Sequence, residues 1–218
     1  MNSPVRGRFI TLEGGEGTGK STLQLTLQRR LAEQGIEALI TREPGGTVCA
    51  EAIRALVLNP PGEMSFSPLA EALLVNAARI DHLDQFIRPA LAAGKWVICD
   101  RFSDSTRVYQ GVSGAVSSDV LLDLERHVVA QTRPDLTLIL DAPVSLALER
   151  RAARGGKPDV FETRGLAFHQ AVREAFSDIA RREPGRCTLI DASLPAADVA
   201  NLAWSAISAR FGAVNARP

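Results

Sequence analysis

The segment Gly14-Gly15-Glu16-Gly17-Thr18-Gly19-Lys20-Ser21 has the spacing G-x-x-x-x-G-K-[ST], and those residue types in that order suit phosphate. The glycines let backbone N–H groups curl around phosphate oxygens, and a helix N-terminus behind them adds a favourable dipole. Lys20 supplies a cation able to reach β and γ phosphates, and the Ser21 hydroxyl is a hard oxygen ligand for Mg²⁺. Such a loop must follow a strand and open a helix. Arg8 to Leu12 reads as the strand, and Lys20 to Gln34 as the helix. By itself the loop says only that the chain binds a nucleotide through its phosphates.

More charged residues fall just past short apolar runs. Arg42 follows Glu37 to Thr41, Asp100 and Arg101 follow Trp96 to Cys99, and Asp141 follows Leu136 to Leu140, while Glu13 and Glu16 follow the first run. In an open parallel sheet, ligands gather at the carboxyl ends of the strands. One crevice is therefore expected to collect anion-binding arginines and metal-suited carboxylates.

Helical spacing marks Ala50 to Leu58, stopped by Asn59-Pro60-Pro61-Gly62, and Leu69 to Ala93, closed by Gly94. It returns over Leu121 to Gln131, Val144 to Ala153, Leu166 to Arg181 and Ala196 to Phe211, with a last strand at Cys187 to Ile190. Strands alternating with helices imply a parallel sheet covered on both faces. With no repeats and no low-complexity linker, residues 1–218 read as one domain with a frayed tail from Gly212.

A chain of 218 residues at 45% hydrophobic holds one sizeable core. Basic and acidic residues balance at 25 each, so no global positive field marks a nucleic-acid partner. Only Lys20, Lys95 and Lys157 are lysines; the rest of the basic set is arginine, which forks two-handed onto phosphate. Cys49, Cys99 and Cys187 are odd in number and far apart, which argues against a disulfide scaffold. There is no apolar run of membrane-spanning length and no charged-then-apolar leader. A soluble cytoplasmic protein is expected, with neither membrane nor nucleic acid as partner.

Four further segments narrow the reading: Thr41-Arg42-Glu43-Pro44-Gly45-Gly46-Thr47, Asn76-Ala77-Ala78-Arg79, Asp100-Arg101-Phe102-Ser103-Asp104-Ser105-Thr106-Arg107-Val108-Tyr109-Gln110, and Arg133-Pro134-Asp135 leading to Asp141. In this order, with the phosphate loop, the chain resembles bacterial thymidylate kinase from about Phe9 to the last helix. The resemblance implies a P-loop NTPase-type three-layer α/β fold with a mobile lid over residues 150–163. It also implies transfer of the ATP γ-phosphoryl to dTMP with Mg²⁺, and a homodimer formed through helices including Leu69 to Leu83.

Residue by residue, the resemblance gives ATP binding to Gly14, Gly15, Glu16, Gly17, Thr18, Gly19, Lys20, Ser21 and Thr22. Arg42, Pro44 and Arg101 would hold the acceptor's 5′-phosphate end, and Arg79 would reach the base carbonyl. Ser105, Thr106 and Gln110 would read the pyrimidine edge, and Tyr109 would pack on the sugar. Glu16 would lie near the 3′-hydroxyl and the metal, and Asp100 would act through Mg²⁺ or its water shell, with Ser21 as ligand. In the lid, Arg154 and then Arg150 are the candidates to stabilise the transferring phosphoryl, beside Lys20, Arg101 and Glu16 as catalytic groups.

Blander readings stand beside these. Arg42 fits a loop ion pair, Arg79 a solvated helix position or a pair with Glu71 or Asp81, and Asp100-Arg101 a strand-end pair. Tyr109 fits core packing, the lid arginines a solvated helix end, Asp141 the N-cap of the next helix, and Glu13 a structural role. The sequence also departs from the family. Neither Val75 nor Asn76 is the aromatic that usually stacks on thymine, Gly111-Val112-Ser113-Gly114-Ala115 lacks the usual basic residue, and the lid reads Asp159-Val160 where Asp-Arg is usual. A pyrimidine monophosphate kinase with shifted base preference and a nucleotide-binding regulatory paralogue without turnover are the alternatives.

Overall fold

The computed structural model describes residues 6–62, 66–112, 116–155 and 160–212. Ser113-Gly114-Ala115, the lid residues Gly156 to Asp159, and the tail beyond Gly212 lie outside the described residues.

Five parallel strands form the sheet: β1 (Phe9–Gly14), β2 (Ala38–Arg42), β3 (Trp96–Asp100), β4 (Leu136–Asp141) and β5 (Cys187–Asp191), in the order β2-β3-β1-β4-β5. Connections leave β1 in opposite directions on its two sides, so the loop after β1 sits at the topological switch point, where open sheets bind ligands. Register aligns the C-terminal ends. Arg42 stands opposite Asp100, Leu12 opposite both Asp100 and Leu138, and Asp141 opposite Asp191.

Because successive side chains in a strand face opposite ways, each buried strand feeds two cores. Ile10, Leu12, Ile98, Leu138 and Leu140 point to the layer made by α1 (Lys20–Glu33) and α9 (Ala196–Phe211), meeting Leu27, Leu31, Ala203 and Ile207. Phe9, Val97 and Cys99 point the other way, onto Leu83, Ile87 and Phe102. Ile139 joins Val108, Tyr109 and Phe176. The helices carrying that second layer are α3 (Pro68–His82), α4 (Arg88–Ala92), α5 (Ser103–Val112), α6 (Ser118–Val129) and α8 (Leu166–Arg182); α2 (Val48–Leu58) and α7 (Val144–Arg154) complete the set. No helix among the described residues is long and apolar enough to cross a membrane.

Two elements differ from the sequence expectation. The helix expected over Leu69 to Ala93 is interrupted at Leu83–Ile87 by a π-helical turn, in which the Arg88 N–H donates to Leu83 O. Pro89, which has no N–H to donate, follows at once, and the turn is of the single-turn π kind that interrupts α-helices. The second difference is α5, which carries no expected helical stripe because its inward residues are mostly polar. Ser103, Asp104, Thr106 and Gln110 are all buried. Asp104, 1% exposed, accepts from the distant Arg186 at 2.6 and 3.0 Å and from Arg107 one turn along the helix at 3.1 Å, while Thr106 and Gln110 meet Arg79 and Glu71. Periodicity of apolar residues cannot reveal a helix that docks through charge.

Candidate active site

The phosphate loop runs from β1 into α1. Gly17 is there for two reasons, a φ of 72° and a backbone so close that a Cβ would sit 2.0 Å from Ala147 O. Lys20 is buried, its Nζ donating to Gly14 O at 3.1 Å and Gly15 O at 2.7 Å. Burial, then the Arg101 charge, push its pKa down. The Ser21 hydroxyl donates to an Asp100 carboxylate oxygen at 2.9 Å, so the end of β3 and the start of α1 place two hard oxygen donors together.

Past Asp100 the backbone turns through Arg101, a non-glycine residue at φ 69°. The turn is held from beneath by Glu13, 0% exposed, which accepts from the Phe102 amide at 2.8 Å and from Ser105 N and Oγ at 3.3 and 2.6 Å. Left-handed backbone at a bulky residue costs energy that its surroundings must supply, and it clusters at functional sites. The side chain of Arg101 donates to Gly14 O at 3.0 Å, to Ser105 Oγ at 3.2 Å and to Glu16 at 2.5 Å. Burial opposes ionisation of Glu16, yet the Arg101 and Lys20 charges hold its pKa at about 2. The Tyr109 ring lies under the guanidinium at 4.9 Å, and its hydroxyl is 3.5 Å from Glu16. Tyr109 is both core and site, since its other neighbours are Phe161, Phe168 and Phe176.

Arg42, half exposed at the end of β2, bonds both oxygens of Glu51 at 3.0 Å. Arg79 on α3 is fully buried and pairs with neither Glu71 nor Asp81. It donates to Glu43 at 2.6 Å, to Asn76 Oδ1 at 3.0 Å and to Thr106 Oγ1 at 2.9 Å. Asp81 accepts instead from the Thr47 hydroxyl. His82 joins the group, with Nδ1 3.1 Å from Glu43 and Nε2 2.7 Å from Thr41 Oγ1. Cys99, Glu43 and His82 bring three metal-type donors within 4.8 Å of one another. Each donor already has a hydrogen-bond partner, Cys99 Sγ donating to Arg101 O at 3.0 Å, and the Arg79 cation shares Glu43. The cluster is a hydrogen-bonded scaffold under the Glu43-Pro44 loop, not a cation site.

The rim on the lid side carries three arginines in different settings. Arg150 donates to Ala192 O at 2.6 Å and Ser193 O at 3.4 Å. Arg151 forks onto Glu162, and Arg154, 61% exposed, reaches the same carboxylate at 3.3 Å. Asp141 is not a helix cap: Pro143 occupies that position, and Asp141 accepts two bonds from Arg173 at 2.6 and 2.8 Å.

The phosphate loop from Glu16 on, Arg42, Arg79, Asp100, Arg101, Tyr109 and the three lid-side arginines line one cleft of about 600 Å³. Of the residues singled out from sequence as site residues, only Gly14 and Gly15 do not line it. Sequence reasoning missed Glu43, Glu51 and Glu162 as the partners of Arg79, Arg42 and the lid-side arginines, and missed His82, which bonds Glu43 and Thr41. A Glu beside Arg42 in the same loop was the one visible hint; the others lie many residues away.

A glycine-rich phosphate loop at the switch point of a parallel sheet, facing a cleft lined with arginines, defines a P-loop nucleotide-binding protein. The thymidylate kinase family model matches residues 12–203, and the chain belongs to that family. A thymidylate kinase of Rhodopseudomonas palustris strain TIE-1 is 50% identical over 213 residues, covering 97% of this chain and 93% of that one. One from Bradyrhizobium diazoefficiens is 52% identical over 213 residues, with the same two coverages. The crystal structure of thymidylate kinase from Ehrlichia chaffeensis superposes with a TM-score of 0.74 at 32% identity, covering 93% of this chain and 99% of that one.

Burial, reinforced by the neighbouring Asp104 charge, raises the Glu13 pKa to about 8 against a usual value of 4.5. The folded chain therefore binds this proton more tightly than the unfolded chain. The contribution is most favourable below about pH 4.5 and declines as pH rises toward 8. Glu13→Gln, which keeps an acceptor for the Phe102 amide, is expected to flatten the fall in urea midpoint between pH 5 and 8. An unchanged slope would assign that fall to other groups.

Proposed function

We propose that this chain transfers the γ-phosphoryl group of ATP to dTMP, giving dTDP and ADP. The observation that carries the reading is the strand register setting Arg42 against Asp100, which brings the Thr41 to Thr47 and Asp100 to Gln110 segments side by side across the phosphate loop. The acceptor is already a phosphate anion, so no strong general base is needed. The task is to hold two like-charged groups in line and neutralise them.

In this reading the loop from Gly14 to Thr22 holds the ATP phosphates, and Lys20 exchanges its carbonyl partners for β and γ oxygens. Arg42 and Arg101 grip the acceptor phosphate with Pro44 beside them. Arg79, Ser105, Thr106 and Gln110 face the base, and Tyr109 the sugar. Ser21 and Asp100, a hydroxyl and a carboxylate already in contact, suit Mg²⁺; the ion would neutralise phosphate charge as phosphoryl moves. Closure of the lid excludes water that would otherwise hydrolyse ATP. Arg154 is the lid cation best placed to act, because its exposed bond to Glu162 is the easiest to exchange, whereas Arg150 is held by two carbonyls. Val75, which lines the cleft where an aromatic would stack, favours a second reading with shifted base preference. Leu69, Leu73 and Ile80 leave an apolar stripe exposed on α3, which supports a homodimer through that face.

Three outcomes are expected. ADP release measured with Mg²⁺-ATP against dTMP, dUMP, dCMP, UMP, CMP and thymidine should prefer dTMP by a wide margin. Preference for another monophosphate selects the shifted-base reading, and no turnover with retained ATP binding sinks the kinase reading. Arg154→Ala should lower kcat by about 100-fold with little change in either KM; a change confined to KM would move the catalytic role elsewhere. Sedimentation at micromolar concentration should give a dimer, and Leu73→Glu a monomer; a wild-type monomer removes the interface.

A further inference from the structure

A second, much smaller cavity of about 20 Å³ lies against the phosphate loop. Its walls are Gly14 to Glu16 and Thr18 of the loop, the end of β4, the start of α7, and His169 and Arg173 on α8. Of these residues only Glu16 and Thr18 also border the cleft. His169 is 8% exposed, and among the described residues its Nε2 is buried with no hydrogen-bond partner. Asp141 and Arg173, bonded to each other at 2.6 and 2.8 Å, line the same space.

An imidazole nitrogen either donates or accepts, and burying it without a partner is unfavourable in either role. The cavity exceeds the about 10–15 Å³ that one water needs, and is too small for a phosphate group or an organic ligand. Water both donates and accepts, so it answers Nε2 in either tautomer. A buried water needs two to four polar partners, and the Thr18 hydroxyl, the Asp141–Arg173 pair and the loop backbone stand in the same wall. The loop has a use for such a support. At Gly17 it presses on Ala147 O so closely that a Cβ would sit 2.0 Å away, so α7 backs it directly there. Beside that contact the cavity lies between the loop and α8.

We infer that this cavity is a binding site for one water molecule, through which His169 holds the phosphate loop from behind and positions it for ATP. The inference rests on the reading of Gly14 to Thr22 as the ATP loop. Glutamine carries its amide about where histidine carries Nε2 and can bond the same water, whereas leucine cannot. His169→Leu is expected to weaken the binding of Mg²⁺-ATP about fivefold by titration calorimetry. His169→Gln should bind within about twofold of wild type. If His169 served packing alone, the order would reverse, because leucine removes an unpaired buried polar atom and glutamine puts a larger one in its place. Crystal structures of the wild type and of His169→Gln should each show an ordered water within about 3.2 Å of the polar end of side chain 169. Those two structures decide the water site even where His169→Leu does not fold.

A wild-type cavity without ordered water overturns the inference. So does ATP affinity in His169→Leu within about twofold of wild type, or a His169→Gln variant as weak as His169→Leu. Each of these leaves the ATP loop intact. A wild-type chain that does not bind Mg²⁺-ATP overturns both.

Discussion

The ion pair between Glu16 and Arg101 ties the phosphate loop to the turn after β3, and the rest of the cleft is arranged around it. Both side chains are largely buried, at 21% and 15% exposed. Removing Arg101 would leave the buried Glu16 with Lys20 as its main remaining counter-charge, and breaking a buried pair in this way costs about 3–5 kcal/mol. The pair also explains the left-handed backbone at Arg101. That turn sends the side chain back across β1 to Gly14 O while Glu13 accepts from the Phe102 amide below. Two carboxylates three residues apart thus act differently. Glu16 faces two cations and stays ionised, whereas Glu13, in the apolar interior beside Asp104, holds its proton into the neutral range.

A cleft built to receive two polyanions carries many cations, and before substrates arrive those cations must not repel one another. Here five of them are stored against carboxylates, Arg42 on Glu51, Arg79 on Glu43, Arg101 on Glu16, Arg151 and Arg154 on Glu162, while Lys20 and Arg150 rest on backbone carbonyls. Exposure grades how readily each can change partner. Arg42 and Arg154 sit in solvent-screened pairs worth about 0–1 kcal/mol, which a phosphate can replace at little cost. Arg79 is 1% exposed and triply bonded, so it keeps its place and its orientation. Exposure therefore separates the cations that can exchange partners, Arg42 and Arg154, from those held in place, Arg79 and Arg101.

The same division runs through the scaffold. His82, Thr41 and Glu43 form a closed hydrogen-bonded chain under the loop that carries Pro44, and Gly46 backs onto the His82 ring so closely that a Cβ would sit 2.4 Å from Nε2. On the other side of the site, the Asp104 cluster docks α5 against the segment leading into β5. The polar face of α5, with Thr106 and Gln110 on it, is therefore held in place without an apolar stripe.

The sequence by itself determined the strands and most helices, because apolar periodicity and glycine–proline punctuation are local signals. It also determined the phosphate loop, whose chemistry lies in consecutive residues, and the strand-end positions of Arg42, Asp100 and Arg101. Only the tertiary structure decided what each arginine holds. Glu43 is 36 residues from Arg79, and Glu16 is 85 from Arg101, and no local pattern encodes such partners. It decided that Asp141 serves Arg173 rather than a helix end, that the helix after His82 passes through a π turn, and that Ser103 to Val112 is a helix at all. Hydrophobic spacing writes itself along the chain, whereas charge pairing is settled by which surfaces the folded sheet brings within about 3 Å.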